Sequence, residues 1–420
     1  MKRSILFILL LGNFLLSAEE PIRLTLEEAI NIALRENREV LFKQQDLMKT
    51  KEKLKEAKAE ALPTFSIESS WLETKNYYSK DIDSYTNKFS LKQPLYKGGK
   101  ITGNISQYKY RIDISKAGLD MAILETVFKV KKAFFSLLLA REYAQLNRLI
   151  LVNTESHLRM ATERYLSGQS AQSEIIKLQQ ALASIKHILN SSLNQIEEAK
   201  ENLKNILYLA KDVEIEPEGE LLYEPIEIAF DEAYLKALRE RPDLRLYEIQ
   251  EKMNKLQKEI ARANLLPNIY ASWDYYINRS DSPIAISQGW EGHQIMGIVM
   301  TWPIFDGFAT QAKIRQAELE LKETQLLKEK TVADIFEELK IAYLELNNAI
   351  AKLKARDAEV SLFEDNLQTV TERYNSGIAS GLDLDDARLK LEIAEFNRKE
   401  VVYDYLIARA KLEKAIGEMK

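Results

Sequence analysis

The feature that most constrains the fold is an internal duplication of the chain. The sequence ERYLSG at residues 163–168 recurs as ERYNSG at residues 372–377. The two copies keep a constant offset, because 377 minus 168 is 209. Each copy lies between two long stretches of helix-forming sequence, and its glycine stands where an ending helix places a left-handed residue. We therefore predict that each copy is the tip of a helical hairpin, and that the chain consists of two equivalent halves.

The duplication continues on the N-terminal side of each tip at a smaller offset. Leu62-Pro63 recurs as Leu266-Pro267, and 267 minus 63 is 204. Thr25 and Glu28 have the spacing of a capping box, which predicts a helix from there to about residue 61. Both prolines stop a helix, because the residue before a proline is pushed out of the α region. We predict a first structural repeat at residues 19–210, a connector at 211–227 and a second repeat at 228–417.

Beyond each proline the sequence changes from a helical to an alternating pattern. Phe65, Ile67 and Trp71 share one side of a predicted strand, with polar residues between them. The pattern predicts one β-hairpin at about residues 64–96 and another at about 268–305, the latter with a loop through Pro283. The offset rises from 204 to 209 after Pro303, so the second hairpin is longer by five residues.

The tryptophans of the chain are concentrated in these two hairpins. All four lie there: Trp71, Trp273, Trp290 and Trp302. Aromatic residues on strands are typical of membrane barrels, which carry aromatic girdles at both interfaces of an apolar outer surface. The alternative is a soluble sheet with an aromatic core, but isolated hairpins are only marginally stable in water. We interpret the four tryptophans as a membrane girdle.

A stretch of about 65 residues without proline follows each hairpin. As a helix, such a stretch spans about 100 Å at 1.5 Å per residue. The segments that return from the tips carry heptad seams, which include Ile175, Leu178 and Leu182 in the first repeat and Leu384 and Leu391 in the second. These patterns predict long antiparallel coiled-coil hairpins.

Composition narrows the classes of function. The chain has no cysteine, which excludes disulfides and thiolate metal sites. Its three histidines, His157, His187 and His293, lie in separate predicted elements. We interpret them as scattered, solvated side chains rather than as a shared site. We therefore predict that the chain is not an enzyme and uses no metal or cofactor.

The N-terminus has the pattern of a secretory signal. Met1-Lys2-Arg3 precedes an apolar run at residues 5–16 and then Ser17-Ala18, which predicts a signal peptide at residues 1–18. The alternative is a membrane anchor, but the run is shorter than the roughly 18 to 20 residues of a spanning helix. No later segment has the length and apolarity of such a helix, so insertion in a membrane would require a β-barrel.

This combination of elements resembles the TolC-like outer-membrane factors of efflux pumps and type I secretion systems. The resemblance is carried by the duplication, by the tips, and by the strand exits QPLYKGG at residues 93–99 and WPIFDG at residues 302–307. It implies a mainly α fold in which a trimeric outer-membrane β-barrel, with four strands per chain, continues into a long periplasmic α-helical coiled-coil barrel. It also implies a function as an exit duct to the exterior of the cell.

The resemblance implies partners and a location as well. The partners are further copies of the chain in a homotrimer, a periplasmic adaptor protein, an inner-membrane transporter and outer-membrane lipid, with no nucleic acid. The location is the outer membrane of a Gram-negative bacterium. The alternative is a periplasmic or surface coiled-coil scaffold without a pore, which leaves the two aromatic hairpins unexplained.

The site residues implied by the resemblance lie at the two tips. A periplasmic gate is expected at Asp383, Asp386 and Glu174, where 174 plus 209 is 383. The alternative is that Asp383, Asp385 and Asp386 offset a helix dipole, an effect worth up to about 1 kcal/mol. Ala379 stands where a member of the family has an arginine, so the resemblance does not extend to an arginine latch. The expected adaptor-docking residues are Tyr165, Gly168, Gln169, Tyr374, Gly377 and Ile378.

Overall fold

The computed structural model of the protein describes residues 22–77, 80–210, 212–280 and 289–418. The predicted signal peptide at residues 1–18 and the predicted loop around Pro283 lie outside these ranges. The elements of the first repeat are β1 (Ile22–Leu24), α1 (Leu26–Glu36), α2 (Arg38–Ala59), β2 (Thr64–Tyr77), β3 (Lys80–Lys97), α3 (Lys100–Leu166) and α4 (Gln172–Leu207). They are followed by β4 (Ile215–Pro217), α5 (Phe230–Glu240), α6 (Pro242–Arg262), a 3₁₀ turn (Ala263–Leu265), β5 (Asn268–Ser280), β6 (Glu291–Thr301), α7 (Ala309–Asn375) and α8 (Gly381–Ile416).

The long helices show the duplication directly. Helices α3 and α7 each have 67 residues, and helices α4 and α8 each have 36. Their bounds keep one offset, because 309 minus 100 and 416 minus 207 both equal 209. The predicted fold class, mainly helical with antiparallel strands in a tandem repeat, is confirmed.

The helix that opens each repeat is broken in two, so the prediction of one continuous helix from Thr25 is wrong. The capping box at its start is present, with the Thr25 N–H donating to Glu28 Oε2 at 2.9 Å. The first repeat breaks at Asn37, whose backbone is extended at φ −64° and ψ 126°, and whose side-chain amide donates to the Ile206 carbonyl at 3.2 Å. The second repeat breaks at Arg241, which precedes a proline and is therefore driven out of the helical region.

The chain forms two compact units, and each contains segments of both repeats. The first unit comprises the segment that ends at Asn37 together with Val127–Pro225 and Leu346–Ala410. The second comprises Arg38–Thr126, Ile226–Glu345 and the segment that begins at Lys411. The two tips belong to the first unit and the strands of both hairpins belong to the second.

The connector packs into the first unit through a strand that the sequence analysis did not predict. Strand β4 pairs with β1 in parallel, in the register that places Ile22 opposite Ile215. The Arg141 guanidinium donates to the Pro217 carbonyl at 2.6 Å and so ties the connector to helix α3. Further along the connector, the Glu224 carbonyl accepts a hydrogen bond of 2.7 Å from the hydroxyl of the fully buried Tyr405.

The second unit contains an antiparallel sheet with the strand order β2-β3-β5-β6. Residues that lie directly opposite each other on antiparallel strands share one face of a sheet. Phe65 lies opposite Leu91, Leu91 opposite Trp273, and Trp273 opposite Met296, so one face is followed across all four strands. This apolar face includes Phe65, Ile67, Trp71, Phe89, Leu91, Ala271, Trp273, Tyr275, Met296 and Ile298.

The opposite face of the same sheet is mainly polar, although Leu72, Ile82, Tyr270, Ile295 and Val299 also lie on it. Its members include Ser66, Ser70, Thr86, Lys88, Ser90, Ser272 and Asp274. On this face the Ser90 hydroxyl donates to Asp274 Oδ1 at 2.5 Å, and the Lys88 ammonium lies 3.5 Å from the same oxygen. The sheet therefore has one mainly apolar side and one mainly polar side.

Candidate functional site

Both helical tips are closed by the same hydrogen-bonded turn. In the first tip the Gln169 N–H donates to the Arg164 carbonyl at 2.8 Å, and the Gly168 N–H donates to the Tyr165 carbonyl at 2.9 Å. These two bonds define a Schellman motif, in which the residue after the helix is left-handed. Gly168 has φ 73° and Gly377 has φ 72°, as the sequence pattern predicted. A side chain at either glycine would have open space around it, so backbone conformation rather than packing requires glycine there.

Apolar side chains are exposed around the two turns. Ile378 directly follows the second glycine and is 69% exposed, and Leu166 beside the first turn is also exposed. Tyr165 and Tyr374, which occupy equivalent positions, both present part of their rings to solvent. Gln169 is the counterpart of Ile378, since 169 plus 209 is 378, and it is exposed as well. The predicted docking residues therefore form an accessible surface at each tip.

Helices α4 and α8, which follow the two tips, begin in different ways, and the predicted gate residues Glu174 and Asp383 take part in these different starts. Helix α8 begins with a capping box, in which the Ser380 N–H and hydroxyl both donate to Asp383 Oδ2 at 2.8 Å. The Asp383 N–H donates back to Ser380 Oγ at 3.2 Å. Helix α4 has Ala171 at its N-cap, and Glu174 instead accepts a hydrogen bond of 2.5 Å from the Ser170 hydroxyl.

The environment of Asp383 keeps this carboxylate charged. The hydrogen bonds from Ser380, first from its backbone and then from its side chain, hold the pKa of Asp383 below its usual range. The positive charges of Arg373 and Arg164 lower this pKa further. Because Arg164 belongs to the first repeat and Asp383 to the second, the two tips act on the same carboxylate.

Asp386, the other predicted gate residue of α8, is paired across the repeats. Its Oδ1 lies 2.7 Å from Nε2 of His157 on α3. The His157 side chain is only 21% exposed, so the interpretation of this histidine as solvated is wrong. His187 on α4 is exposed, and His293 on β6 stacks against Tyr276 with ring centroids 4.9 Å apart. The structure therefore does not bring the three histidines together.

The predicted girdle tryptophans all lie at the sheet of the second unit. Trp71 donates its indole N–H to Asp83 on the neighbouring strand at 3.0 Å, and Trp273 donates to Gln294 at 3.1 Å. Trp290 directly precedes β6 and is exposed. Trp302 follows the end of β6, so the prediction that this strand continues to residue 305 is wrong.

Strand β6 ends where its partner begins, because Thr301 lies opposite Asn268, the first residue of β5. The indole N–H of Trp302 donates to the Leu265 carbonyl at 3.0 Å, in the turn that precedes β5. Pro303 then lacks the backbone N–H that a further ladder bond would need. In the part of the chain that the structure describes, no helix is both long and apolar enough to cross a membrane.

The fold is similar to those of solved outer-membrane channels. The crystal structure of CusC superposes with a TM-score of 0.76 at 17% identity, covering 94% of this chain and 92% of that one. The CmeC outer membrane channel of Campylobacter jejuni gives a TM-score of 0.75 at 18% identity, covering 93% of this chain and 85% of that one.

Sequence comparison identifies the family. The profile of the family described as outer membrane efflux protein matches residues 29–207 and 233–418. The chain therefore belongs to the outer membrane efflux protein family. It is also 23% identical over 348 residues to the alkaline protease secretion protein AprF of Pseudomonas aeruginosa, covering 79% of this chain and 69% of AprF. The predicted outer-membrane location and the predicted role as an export channel are confirmed, and the alternative of a scaffold without a pore is set aside.

Proposed function

We propose that three copies of this chain assemble into one exit duct, which receives substrates from a periplasmic adaptor and an inner-membrane transporter and releases them outside the cell. The observation that carries the proposal is the four-stranded sheet, whose order leaves β2 and β6 as unpaired edges. Open edges with an exposed apolar face favour pairing with another sheet. Four strands are too few for a closed barrel, which needs about eight or more, whereas three chains supply enough. The chain itself performs no catalytic step in this scheme.

The placement of the tryptophans supports a membrane role for the sheet. Strand pairing puts Trp71 level with Arg279, and Trp302 lies beside the level of Asn268. The two levels are separated by 279 minus 268, or 11, residues of β5. At about 3.4 Å per residue these residues span about 37 Å along β5, or about 29 Å along the axis of a barrel whose strands tilt by about 40°, close to the apolar band of an outer membrane. Trp273 lies midway and therefore faces the acyl chains rather than an interface.

The assembly test is the mass and conductance of the purified protein. We expect detergent-extracted protein to have the mass of three chains by native mass spectrometry. We also expect it to give discrete single-channel currents when added to planar bilayers. A monomer that carries no current would contradict the proposed duct.

Docking at the tips is tested by charging two equivalent positions. Gln169→Arg together with Ile378→Arg leaves both tip glycines and both Schellman turns in place, but puts one added cation on each docking surface. An adaptor that covers Ile378 would have to bury an unpaired charge, which is costly. We expect cross-linking to the adaptor in cells to fall at least about tenfold, since roughly 1.4 kcal/mol is sufficient for that change.

The matched control is Gln180→Arg, on an exposed position of α4 that lies 180 minus 169, or 11, residues from the first docking position. We expect this variant to cross-link as the wild type does. Both proteins are first shown to form trimers, so that loss of cross-linking reports docking alone. Wild-type cross-linking in the double tip variant would place the adaptor elsewhere.

A further inference from the structure

We propose that His157 is the positioning residue for the gate carboxylate Asp386, and that their contact makes closure of the duct dependent on pH. This inference rests on the proposed duct and its gate. No sequence pattern indicated a role for His157. In the proposed mechanism, acidification at the tips strengthens the closed state.

The geometry is that of a direct interaction between the two repeats. His157 Nε2 and Asp386 Oδ1 are 2.7 Å apart, and 229 residues of sequence separate them. The imidazole is 21% exposed and the carboxylate 43% exposed, so the contact is partly shielded from water. An ionised carboxylate only accepts hydrogen bonds, and a neutral imidazole therefore donates its Nε2–H to Asp386.

The duplication does not repeat this contact, because the equivalent positions carry different residues. The position equivalent to His157 is Asn366, since 157 plus 209 is 366, and the position equivalent to Asp386 is Lys177, since 386 minus 209 is 177. Neither an amide nor a lysine ordinarily changes charge between pH 5 and 8, whereas histidine does. The equivalent residues Asn366 and Lys177 therefore do not change charge in this pH range.

The other charges around the contact have their own partners. On α3, Glu155 lies 3.8 Å from Lys186 of the adjacent helix α4. On α8, Asp385 lies 4.0 Å from Arg388. Asp383 is held by Ser380, with Arg373 of α7 and Arg164 of α3 acting on its charge. Within the described part of the tips, His157 is thus the group that faces Asp386 at ion-pair distance.

Protonation changes both the strength of the contact and the charge of the gate. With a neutral imidazole, the pair is joined by an ordinary hydrogen bond and carries one negative charge. With an imidazolium, the bond becomes charge-assisted, which is roughly twice as strong, and the pair is neutral. Acidification therefore tightens the link between α3 and α8 and removes one negative charge per chain. A rise in pH reverses both changes and favours opening.

The test measures single-channel open probability while the pH on the tip side is changed from 5.0 to 8.0. We expect the wild-type open probability to rise about tenfold, since three contacts act together and each exposed pair contributes only a two- to threefold factor. His157→Gln keeps a hydrogen-bonding side chain without the charge, so its open probability should be high and independent of pH. His157→Arg keeps the charge at every pH, so its open probability should be low and independent of pH.

The matched control is His187→Gln, the same change at an exposed histidine on α4. We expect this variant to retain the wild-type pH profile. A wild type without pH dependence, or a His157→Gln variant that conducts and keeps the full pH dependence, would overturn the inference while leaving the duct intact.

A second measurement does not require a conducting pore. Thermal unfolding of the detergent-extracted protein is compared at pH 5.5 and 8.0 for His157→Gln, Asp386→Asn and the double variant. We expect the two changes to be coupled at both pH values, and more strongly at pH 5.5 than at pH 8.0, because the charge-assisted bond is the stronger one. Equal coupling at both pH values would overturn the role of protonation, even if the wild type carried no current and the proposed duct had failed.

Discussion

Lysine at Phe65 and Ile67 is expected to abolish insertion of the protein into the outer membrane, whereas lysine at Ser66 and Ser70 is not. All four residues lie on β2, and successive residues of a strand point to opposite faces. Phe65 and Ile67 belong to the apolar face and are 61% and 60% exposed. Ser66 and Ser70 belong to the polar face. The two variants therefore add the same charge to the same strand on different sides of the sheet.

The expected effect is large because lipid cannot solvate the added charges. A lysine on the lipid-facing side of a membrane barrel costs about 2 to 4 kcal/mol near the midplane. Strand pairing places Phe65 level with Trp273, midway between the outer tryptophans, so two lysines cost roughly 4 to 8 kcal/mol per chain. That cost is comparable with the total stability of a typical domain, which is about 5 to 15 kcal/mol.

The measurement is the amount of protein in the outer-membrane fraction after density separation. We expect the Phe65→Lys, Ile67→Lys variant to be lost from this fraction and the Ser66→Lys, Ser70→Lys variant to remain. If the first variant is recovered in the wild-type amount, the apolar face does not contact lipid. Equal loss of both variants would indicate a folding defect of β2 rather than a lipid contact.

The fold could be predicted from the sequence where a pattern repeats over many residues. The helices of 67 residues follow from long stretches without proline, and the alternating residues around Phe65 predict a strand. The break between helices α1 and α2 at Asn37 and the three-residue strand β4 could not be predicted in this way. Asn37 is held by a hydrogen bond to Ile206, and β4 is defined by its pairing with β1, so both depend on residues distant in the sequence.

The candidate site also contains local features that could be predicted from the sequence and a long-range contact that could not. The left-handed glycines of the tips are local features, and the sequence predicted them from the end of each helix. The capping box of Ser380 and Asp383 is also a local feature, since a serine is followed three residues later by an acid, although the pattern predicted Asp383 only as a dipole partner or a gate residue. The contact between His157 and Asp386 joins different repeats and leaves no local pattern.

The second large effect concerns the charge of the gate. We expect Asp383→Asn together with Asp386→Asn to abolish most of the cation selectivity of the duct and its block by divalent cations. In a trimer these two positions supply six carboxylates, and acidic rings of this kind attract cations in other channels. Asparagine retains an oxygen that accepts the hydrogen bonds from Ser380, so helix α8 keeps its start while the charge is removed.

Asp385→Asn is the matched control for this experiment. It removes one carboxylate charge per chain from the same turn, but a residue two positions from Asp383 points about 200° away around the helix, whereas Asp386 at three positions lies about 60° from it. The Asp385 carboxylate also lies near Arg388, at 4.0 Å. We expect this control to keep wild-type selectivity.

Glu174→Gln should deepen the loss in the double variant if Glu174 shares the ring.

The low pKa of Asp383 gives the gate prediction a distinct dependence on pH. A carboxylate with a lowered pKa loses its charge only when the pH falls below the usual range for aspartate, so Asp383 remains ionised at pH 5.5. Where His157 is protonated, as the proposed pH-dependent contact requires, the Asp386 pair is neutral and three of the six charges persist. Divalent block from the tip side should therefore weaken in the wild type between pH 8.0 and 5.5 but remain measurable. In the double asparagine variant the divalent affinity should be lower than in the wild type at both pH values, and the loss should be larger at pH 8.0, where six charges rather than three are removed. Unchanged block in that variant would show that Asp383 serves only to begin helix α8, and that the narrowest charged ring of the duct lies elsewhere.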